Sequence, residues 1–168
     1  FLVDDVSTDR SYDLAKNKIR DDSRFVLIKN KEKKYALENI VNAIEKANCN
    51  DEDIIILLDG DDWLSSAHVL TRLNEAYDEH CLLTYGSYVY FPHGQKGIEP
   101  AEYPEEVIKN NKFREDIWRA SHLRTFKYLL WKNLDYEDLK DQQGSFYKMT
   151  YDQAILLPLL EMARERVK

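Results

Sequence analysis

Short apolar runs alternate along the chain with segments whose apolar residues recur at helical spacing. The apolar runs, which are typical of buried strands, lie at residues 1–3, 25–28 and 54–58. Helices are predicted at residues 12–19, 37–47 and 65–77. The last two segments have one apolar face, and the first can form a helix. This alternation predicts an α/β protein with a mostly parallel central sheet flanked by helices.

The second half of the chain has a weaker pattern. Residues 82–91 are rich in tyrosine and aliphatic residues and predict a strand that ends at a turn of Pro, His and Gly. Residues 123–130 predict a short helix. Thr150 and Gln153 form a capping-box pattern before a last apolar helix, and Pro158 should kink that helix.

Acidic residues follow two of the predicted strands directly. Asp59, Asp61 and Asp62 come after the run at 54–58, with Gly60 between them, and Asp4 and Asp5 end the run at the start of the chain. Ionised carboxylates about 4 Å apart repel by roughly 1 to 4 kcal/mol, depending on the effective dielectric. A hard cation such as Mg²⁺ or Mn²⁺ relieves such repulsion, so the second cluster predicts a metal site. The alternative is a solvated acidic turn before a helix.

Composition and charge restrict the class of protein. The chain has 168 residues, which suits one domain, and its 31 acids against 24 Lys and Arg give a net charge of −7. A nucleic-acid partner is therefore not expected. The two cysteines lack the spacing of a disulfide framework or a zinc site, and no apolar run reaches the roughly 20 residues of a membrane helix. We expect a cytoplasmic protein without a transmembrane segment, which is compatible with peripheral membrane association.

Three segments together resemble one enzyme family. FLVDDVSTD at residues 1–9 resembles the VDDGSTD signature of family 2 glycosyltransferases with the GT-A fold, and LLDGDDWL at residues 57–64 resembles the LDADD form of their DxD motif. TYDQ at residues 150–153 is similar to the ED segment that carries the catalytic base of the family. The resemblance implies a GT-A-type, Rossmann-like α/β sheet.

The resemblance also implies a reaction and its ligands. An inverting, metal-dependent transferase would move a sugar from a nucleotide-diphospho-sugar, with a UDP-sugar favoured, to a hydroxyl of a saccharide, lipid-linked or protein acceptor. Asp61 is the first candidate for the ligand of Mn²⁺ or Mg²⁺, followed by Asp62. Asp59 would contact the ribose or a bound water, and Gly60 would keep the backbone free to approach the phosphates.

Other residues take roles from the same resemblance. Asp5 would accept a hydrogen bond from the base ring, with Asp4 supporting the loop, although both can also cap a helix. Asp152 is the candidate general base for the acceptor hydroxyl.

His122 can complete a metal shell or meet a phosphate, but a lone histidine is more often a structural donor. Further candidates are Lys33, Lys34 or Arg124 at the phosphates and Trp63, Trp118 or Trp131 stacked on a sugar, although core packing is the commoner role of a tryptophan.

The chain also departs from the family pattern. Val6 stands in place of the glycine of the first signature, and Tyr151 replaces the glutamate of the ED pair. We also expect a fold without the strand with which family members usually begin. We expect a single domain over residues 1–168, with a nucleotide-binding half at 1–91 and a truncated acceptor-side half at 92–168.

Two other functions stay open on the sequence. One is a haloacid-dehalogenase-like, Mg²⁺-dependent phosphatase with Asp59 as nucleophile and Asp61 as acid, although Trp63 stands where that class has threonine or valine. The other is a non-catalytic GT-A-like binding domain.

Overall fold

The structure, a computed structural model, describes residues 1–97 and 101–168. These residues group into two units. The first unit consists of Phe1–Cys49 and Leu139–Tyr151, and the second of Asn50–Asp138 and Asp152–Lys168. The expected single domain, with its halves meeting at residue 91, stays a prediction.

The first unit contains the strands and helices that the start of the sequence predicts. Its elements are β1 (Leu2–Asp4), α1 (Ser11–Ile19), β2 (Leu27–Lys29) and α2 (Tyr35–Ala47). The strands β1 and β2 are parallel, with Val3 opposite Ile28. Helix α2 forms here because its apolar residues recur every three or four positions and make one buried face. That face is made of Leu37, Val41 and Ile44.

The second unit is built around a three-stranded sheet. Its elements are β3 (Ile54–Leu57), α3 (Val69–Asp78), β4 (Leu83–Gly86), β5 (Val89–Tyr90), β6 (Gln95–Lys96), α4 (Glu105–Lys109), β7 (Ser121–Lys127) and α5 (Tyr128–Trp131). The last helix is α6 (Tyr151–Ala163), and all of its residues except Tyr151 belong to this unit. The order of the sheet is β3-β7-β4, and β7 is antiparallel to both neighbours. Strands β5 and β6 form a separate hairpin.

The strand β7 corrects two expectations. A mostly parallel central sheet is not what the described residues form, since among named strands only β1 and β2 are parallel. The predicted helix over residues 123–130 is also wrong, because residues 121–127 are a strand and only residues 128–130, the first three of α5, are helical. The physical reason is tertiary: β7 finds backbone hydrogen-bond partners on both sides, and these outweigh a weak local preference.

The interior of the second unit combines apolar packing with one polar network. Helix α6 runs through Pro158 and contributes fully buried leucine and isoleucine side chains. The Thr125 hydroxyl of β7 lies 2.7 Å from the Tyr77 hydroxyl and 2.6 Å from that of Thr84, so three buried oxygens satisfy one another. Burial raises the pKa of Tyr77.

The free edge of β4 is covered by the last residues of the chain. The Leu82 amide donates to the Arg166 carbonyl at 2.8 Å, and the Lys168 amide donates to the Leu83 carbonyl at 3.0 Å.

In the described ranges, no helix has both the length and the apolar character needed to cross a membrane.

Candidate functional site

Two carboxylates and an imidazole meet where β3 ends. Asp59, Asp62 and His122 each offer one ligand atom, and these atoms all lie within 4.8 Å of one another. His122 Nε2 is 3.3 Å from Asp59 Oδ2 and 3.8 Å from Asp62 Oδ2. Both carboxylates are accessible, with 38% of the Asp59 side chain and 43% of the Asp62 side chain exposed. The group is therefore preformed and open to a ligand.

The register of the sheet explains why these residues meet. Leu57, at the end of β3, is paired with Arg124 of β7 in an antiparallel ladder. Continuing that register by two residues brings Asp59 opposite His122. The chain then turns, with the Asp62 amide donating to the Asp59 carbonyl at 3.1 Å, and this turn returns the Asp62 carboxylate to the same place.

The chemistry of this donor set fits a divalent cation. Carboxylate oxygens suit Mg²⁺ and Mn²⁺, while an imidazole nitrogen is a common ligand of first-row transition metals. Three protein ligands on one side would leave coordination positions for a substrate. Ser121 Oγ lies 3.4 Å from Nδ1 of His122 and the Tyr88 ring packs edge-on at 5.3 Å, so the imidazole has neighbours that orient it.

Of the residues predicted from the sequence as metal ligands, one belongs to the group and one does not. Asp62 belongs to the group, as does Asp59, which the sequence assigns to ribose or water. Asp61 is exposed and is not part of the group among the described residues, and its role as first ligand stays a prediction. A side chain at Gly60 would meet no atom within 4 Å, so the backbone there is open to a ligand.

A large open cleft surrounds these residues. Its volume is about 1230 Å³, and Asp59, Asp61, Asp62 and His122 line it together with aromatic side chains. Among the residues that the structure describes, the lining contains five acids and two Lys or Arg residues. These charged residues are Asp59, Asp61, Asp62, Glu75, Glu79, Arg72 and Lys168.

The candidate base is held by a buried arginine. Asp152 lies in the first turn of α6, where its Oδ1 accepts a hydrogen bond from the Gln153 amide at 2.9 Å. Arg124 of β7 donates from Nη2 to Asp152 Oδ2 at 3.4 Å, and Arg124 is only 5% exposed. Its Nε also donates to the Ala120 carbonyl at 3.3 Å. The sequence suggests only a phosphate contact for Arg124, and the contact between Arg124 and Asp152 becomes visible in the structure.

The acids of the first unit have a different environment. Asp5 Oδ1 accepts hydrogen bonds from Asn30 Nδ2 at 2.7 Å and the Lys34 amide at 2.8 Å, and Oδ2 accepts one from the Tyr35 amide at 2.8 Å. Burial of the carboxyl raises its pKa, but these hydrogen bonds outweigh burial, so the pKa of Asp5 lies below its ordinary value of 3.8. Asp4 is buried, and its Oδ2 accepts from the Ser7 amide at 3.4 Å.

A small cavity lies near Asp5 within the first unit. Its volume is about 150 Å³, and its polar lining is provided mainly by asparagine and lysine side chains. These side chains are Asn30, Lys34, Asn39, Asn42 and Lys46. The proposed contact between Asp5 and a base ring stays a prediction.

Comparison with known proteins identifies one family. The model of the family described as glycosyl transferase family 2 matches residues 1–136 of the 168-residue chain. The match includes both acid-bearing strand ends and His122, and it ends before Asp152. No curated protein matches the chain.

Proposed function

Since the chain belongs to glycosyl transferase family 2, we propose that it catalyses a metal-assisted, inverting transfer of a sugar from a nucleotide-diphospho-sugar to an acceptor hydroxyl. Family membership makes the chain a glycosyltransferase that uses a nucleotide-sugar donor, and it favours this activity over a phosphatase or a non-catalytic domain. The observation that carries the finer proposal is the group formed by Asp59, Asp62 and His122.

The proposed metal ligands are Asp62, Asp59 and His122, with Asp61 near enough in sequence to contribute on ligand binding. The mixed oxygen and nitrogen donors suit Mn²⁺ better than Mg²⁺, which takes shells of oxygen almost entirely. When bound, such an ion neutralises the negative charge that develops on the nucleoside diphosphate as it leaves.

Asp152 is the proposed general base. It would take the proton of the acceptor hydroxyl while the acceptor oxygen bonds to the anomeric carbon and the bond from that carbon to the diphosphate oxygen breaks. Attack on the face opposite the leaving group inverts the anomeric configuration. The hydrogen bond from Arg124 to Asp152 Oδ2 supports this role, because it holds the carboxylate in one orientation.

The donor is proposed to be a UDP-sugar whose base lies near Asp5 and Asp4. The hydrogen bonds from Lys34 and Tyr35 to Asp5 hold residues 30–35 against the end of β1, and this order supports a role for the loop in nucleotide binding. The acceptor is a saccharide, a lipid-linked molecule or a protein. The proposed location is the cytoplasm, supported by two cysteines without the spacing of a disulfide framework.

A thermal-shift experiment tests the proposal. The protein is heated with Mn²⁺ and UDP, with UDP-sugars, and with GDP as an alternative nucleotide. At a ligand concentration 100-fold above the dissociation constant, binding adds about 2.7 kcal/mol to stability, which is easily measured as a shift in Tm. We expect UDP with Mn²⁺ to stabilise the wild type and to stabilise Asp62→Asn much less.

The matched control is Asp78→Asn, which makes the same change at an exposed acid of α3 that does not line the cleft. This variant should respond like the wild type. If no nucleotide stabilises the wild type with Mn²⁺, the proposed function is wrong for this chain.

A further inference from the structure

An exposed cluster of aromatic rings lies in the cleft beside the candidate metal site. We call Trp63, Tyr88, Tyr90 and Phe91 the aromatic ledge. Trp63 is 63% exposed and Phe91 is 75% exposed, and their rings meet edge to face with centroids 5.0 Å apart. Contiguous exposed apolar surface of this kind marks an interaction site, because its exposure to water is unfavourable.

Two elements of the second unit build the ledge. Trp63 directly follows the acids of the β3 turn, and the other rings come from the β5–β6 hairpin or the residues beside it. The Gly97 amide donates to the Tyr88 carbonyl at 2.9 Å, and the Gly94 amide donates to the Tyr90 carbonyl at 2.8 Å. These bonds fix the hairpin, so the rings are presented by an ordered element.

The ledge is continuous with the candidate metal site. The Tyr88 ring packs edge-on against His122 with centroids 5.3 Å apart, and His122 in turn contacts Asp59. Tyr88 also packs against Tyr90, and their hydroxyls lie 3.3 Å apart. The ledge therefore offers apolar ring surface with a polar edge, next to the place where the reaction would occur.

We propose that the aromatic ledge binds the acceptor, and that this acceptor is a saccharide with one ring stacked on Phe91 and its edge against Trp63. The inference rests on the proposed function and deepens it. A sugar ring has an apolar C–H face that packs on an aromatic ring and hydroxyls that hydrogen-bond to the Tyr88 and Tyr90 oxygens and to Asp61. This proposal places acceptor contacts before residue 92, whereas the sequence predicts them in the half at 92–168.

Charge favours a saccharide over a membrane surface as the occupant. Within the described part of the chain, the two long cations that line the cleft are each in an ion pair, Arg72 with Glu75 at 3.0 Å and Lys168 with Glu79. The acids of the β3 turn therefore leave the cleft negative, and anionic lipid headgroups would be repelled from it. A neutral or amino-bearing sugar meets no such repulsion.

The test measures saccharide binding by saturation-transfer NMR on the full chain. The probes are cellobiose, chitobiose and methyl α-mannoside, each with and without Mn²⁺ and UDP. We expect at least one probe to bind the wild type and to bind Phe91→Ala roughly fivefold more weakly, the loss expected for one aromatic contact. Phe91→Tyr should restore binding to within twofold, because it keeps the ring, whereas Phe91→Leu should not.

The matched control is Phe25→Ala, since Phe25 is 50% exposed and does not line the cleft. It should bind the probes like the wild type. The shift in Tm with UDP and Mn²⁺, measured on Phe91→Ala, should equal that of the wild type, which separates acceptor binding from donor binding.

Three results would overturn the ledge proposal while leaving the proposed function intact. In the first, no saccharide probe binds although UDP stabilises the wild type. In the second, Phe91→Leu binds the probes as tightly as the wild type. In the third, the wild type binds phosphatidylglycerol vesicles and Phe91→Ala does not. Saccharide binding without any nucleotide shift in the wild type would overturn both the acceptor role of the ledge and the proposed transferase.

Discussion

Two strands of the chain are followed directly by acids, and the acids at the two strand ends have different surroundings. After β1, Asp5 accepts three hydrogen bonds from Asn30, Lys34 and Tyr35. After β3, Asp59 and Asp62 lie beside His122, with side chains 38% and 43% exposed. The first acid is stabilised by donors of its own unit, whereas the second pair points its oxygens at a position where a cation could bind.

We infer from this difference that the neighbours of an acid, more than its place in a motif, determine what it does. A carboxylate surrounded by fixed N–H donors is already satisfied as an anion, so it contributes to stability even before any nucleotide binds. Carboxylates that converge on one point repel each other until a cation binds, so they contribute to ligand binding instead. The following variants test this contrast.

The largest effect should come from Asp62→Asn. Loss of a charged ligand atom should lower sugar transfer with Mn²⁺ by at least about 100-fold, because charge on the leaving diphosphate is then poorly neutralised. The free energy of unfolding without ligand should change by less than about 0.5 kcal/mol, as for an exposed side chain. Transfer is measured as UDP release, and unfolding by urea titration.

Asp78→Asn is the control for this variant and should keep full activity. If Asp62→Asn unfolds more easily but retains its turnover, the contrast between the two strand ends is wrong.

Asp5→Ala should mainly reduce stability. Removal of the carboxylate takes away the acceptor of the Lys34 and Tyr35 amides, which water reaches only in part, so we expect a loss of about 1 to 2 kcal/mol in the free energy of unfolding. Urea titration of the ligand-free protein measures this loss. Asp21→Ala, at an exposed acid of the same unit, should lose less than about 0.5 kcal/mol. Equal stability of the two variants would mean that the Asp5 hydrogen bonds contribute little.

The sequence predicts the elements whose pattern is local. Helix α2 has Leu37, Val41 and Ile44 on one face, and this spacing is visible without knowing what covers it. The strands before both acid clusters are short apolar runs of the kind that form buried strands. Family motifs at the same strand ends supply the family, which the match over residues 1–136 confirms.

Strand β7 could not be predicted in the same way. Its residues, Ser121–Lys127, mix polar, charged and apolar side chains without a period of two. Its identity as a strand depends on β3 and β4, which lie far away in sequence. The same long-range pairing brings His122 to Asp59, and Arg124 of the same strand contacts Asp152 of the distant helix α6. These partners can be found only from the fold.

His122→Ala sharpens the assignment of the open strand end. Removing one of three ligands should weaken Mn²⁺ binding about tenfold, while the two carboxylates retain part of the affinity. Titration followed by the electron paramagnetic resonance of free Mn²⁺ measures the change. His93→Ala removes an exposed histidine outside the ligand group and should bind Mn²⁺ like the wild type. Unchanged affinity in His122→Ala would exclude the imidazole as a ligand.

The smallest effect should be the pH dependence that Asp5 adds to stability. Its folded pKa lies below the ordinary value of 3.8, so between these two values the unfolded chain binds more protons than the folded one. Stability from Asp5 is therefore fully present above the unfolded pKa and is lost as the pH falls through the folded pKa. Comparing wild type and Asp5→Asn by urea titration from pH 6 to pH 2.5, we expect their difference in unfolding free energy to shrink below about pH 4. A difference that stays constant over this range would show that the Asp5 carboxylate is no more stabilised as an anion in the folded protein than in the unfolded chain.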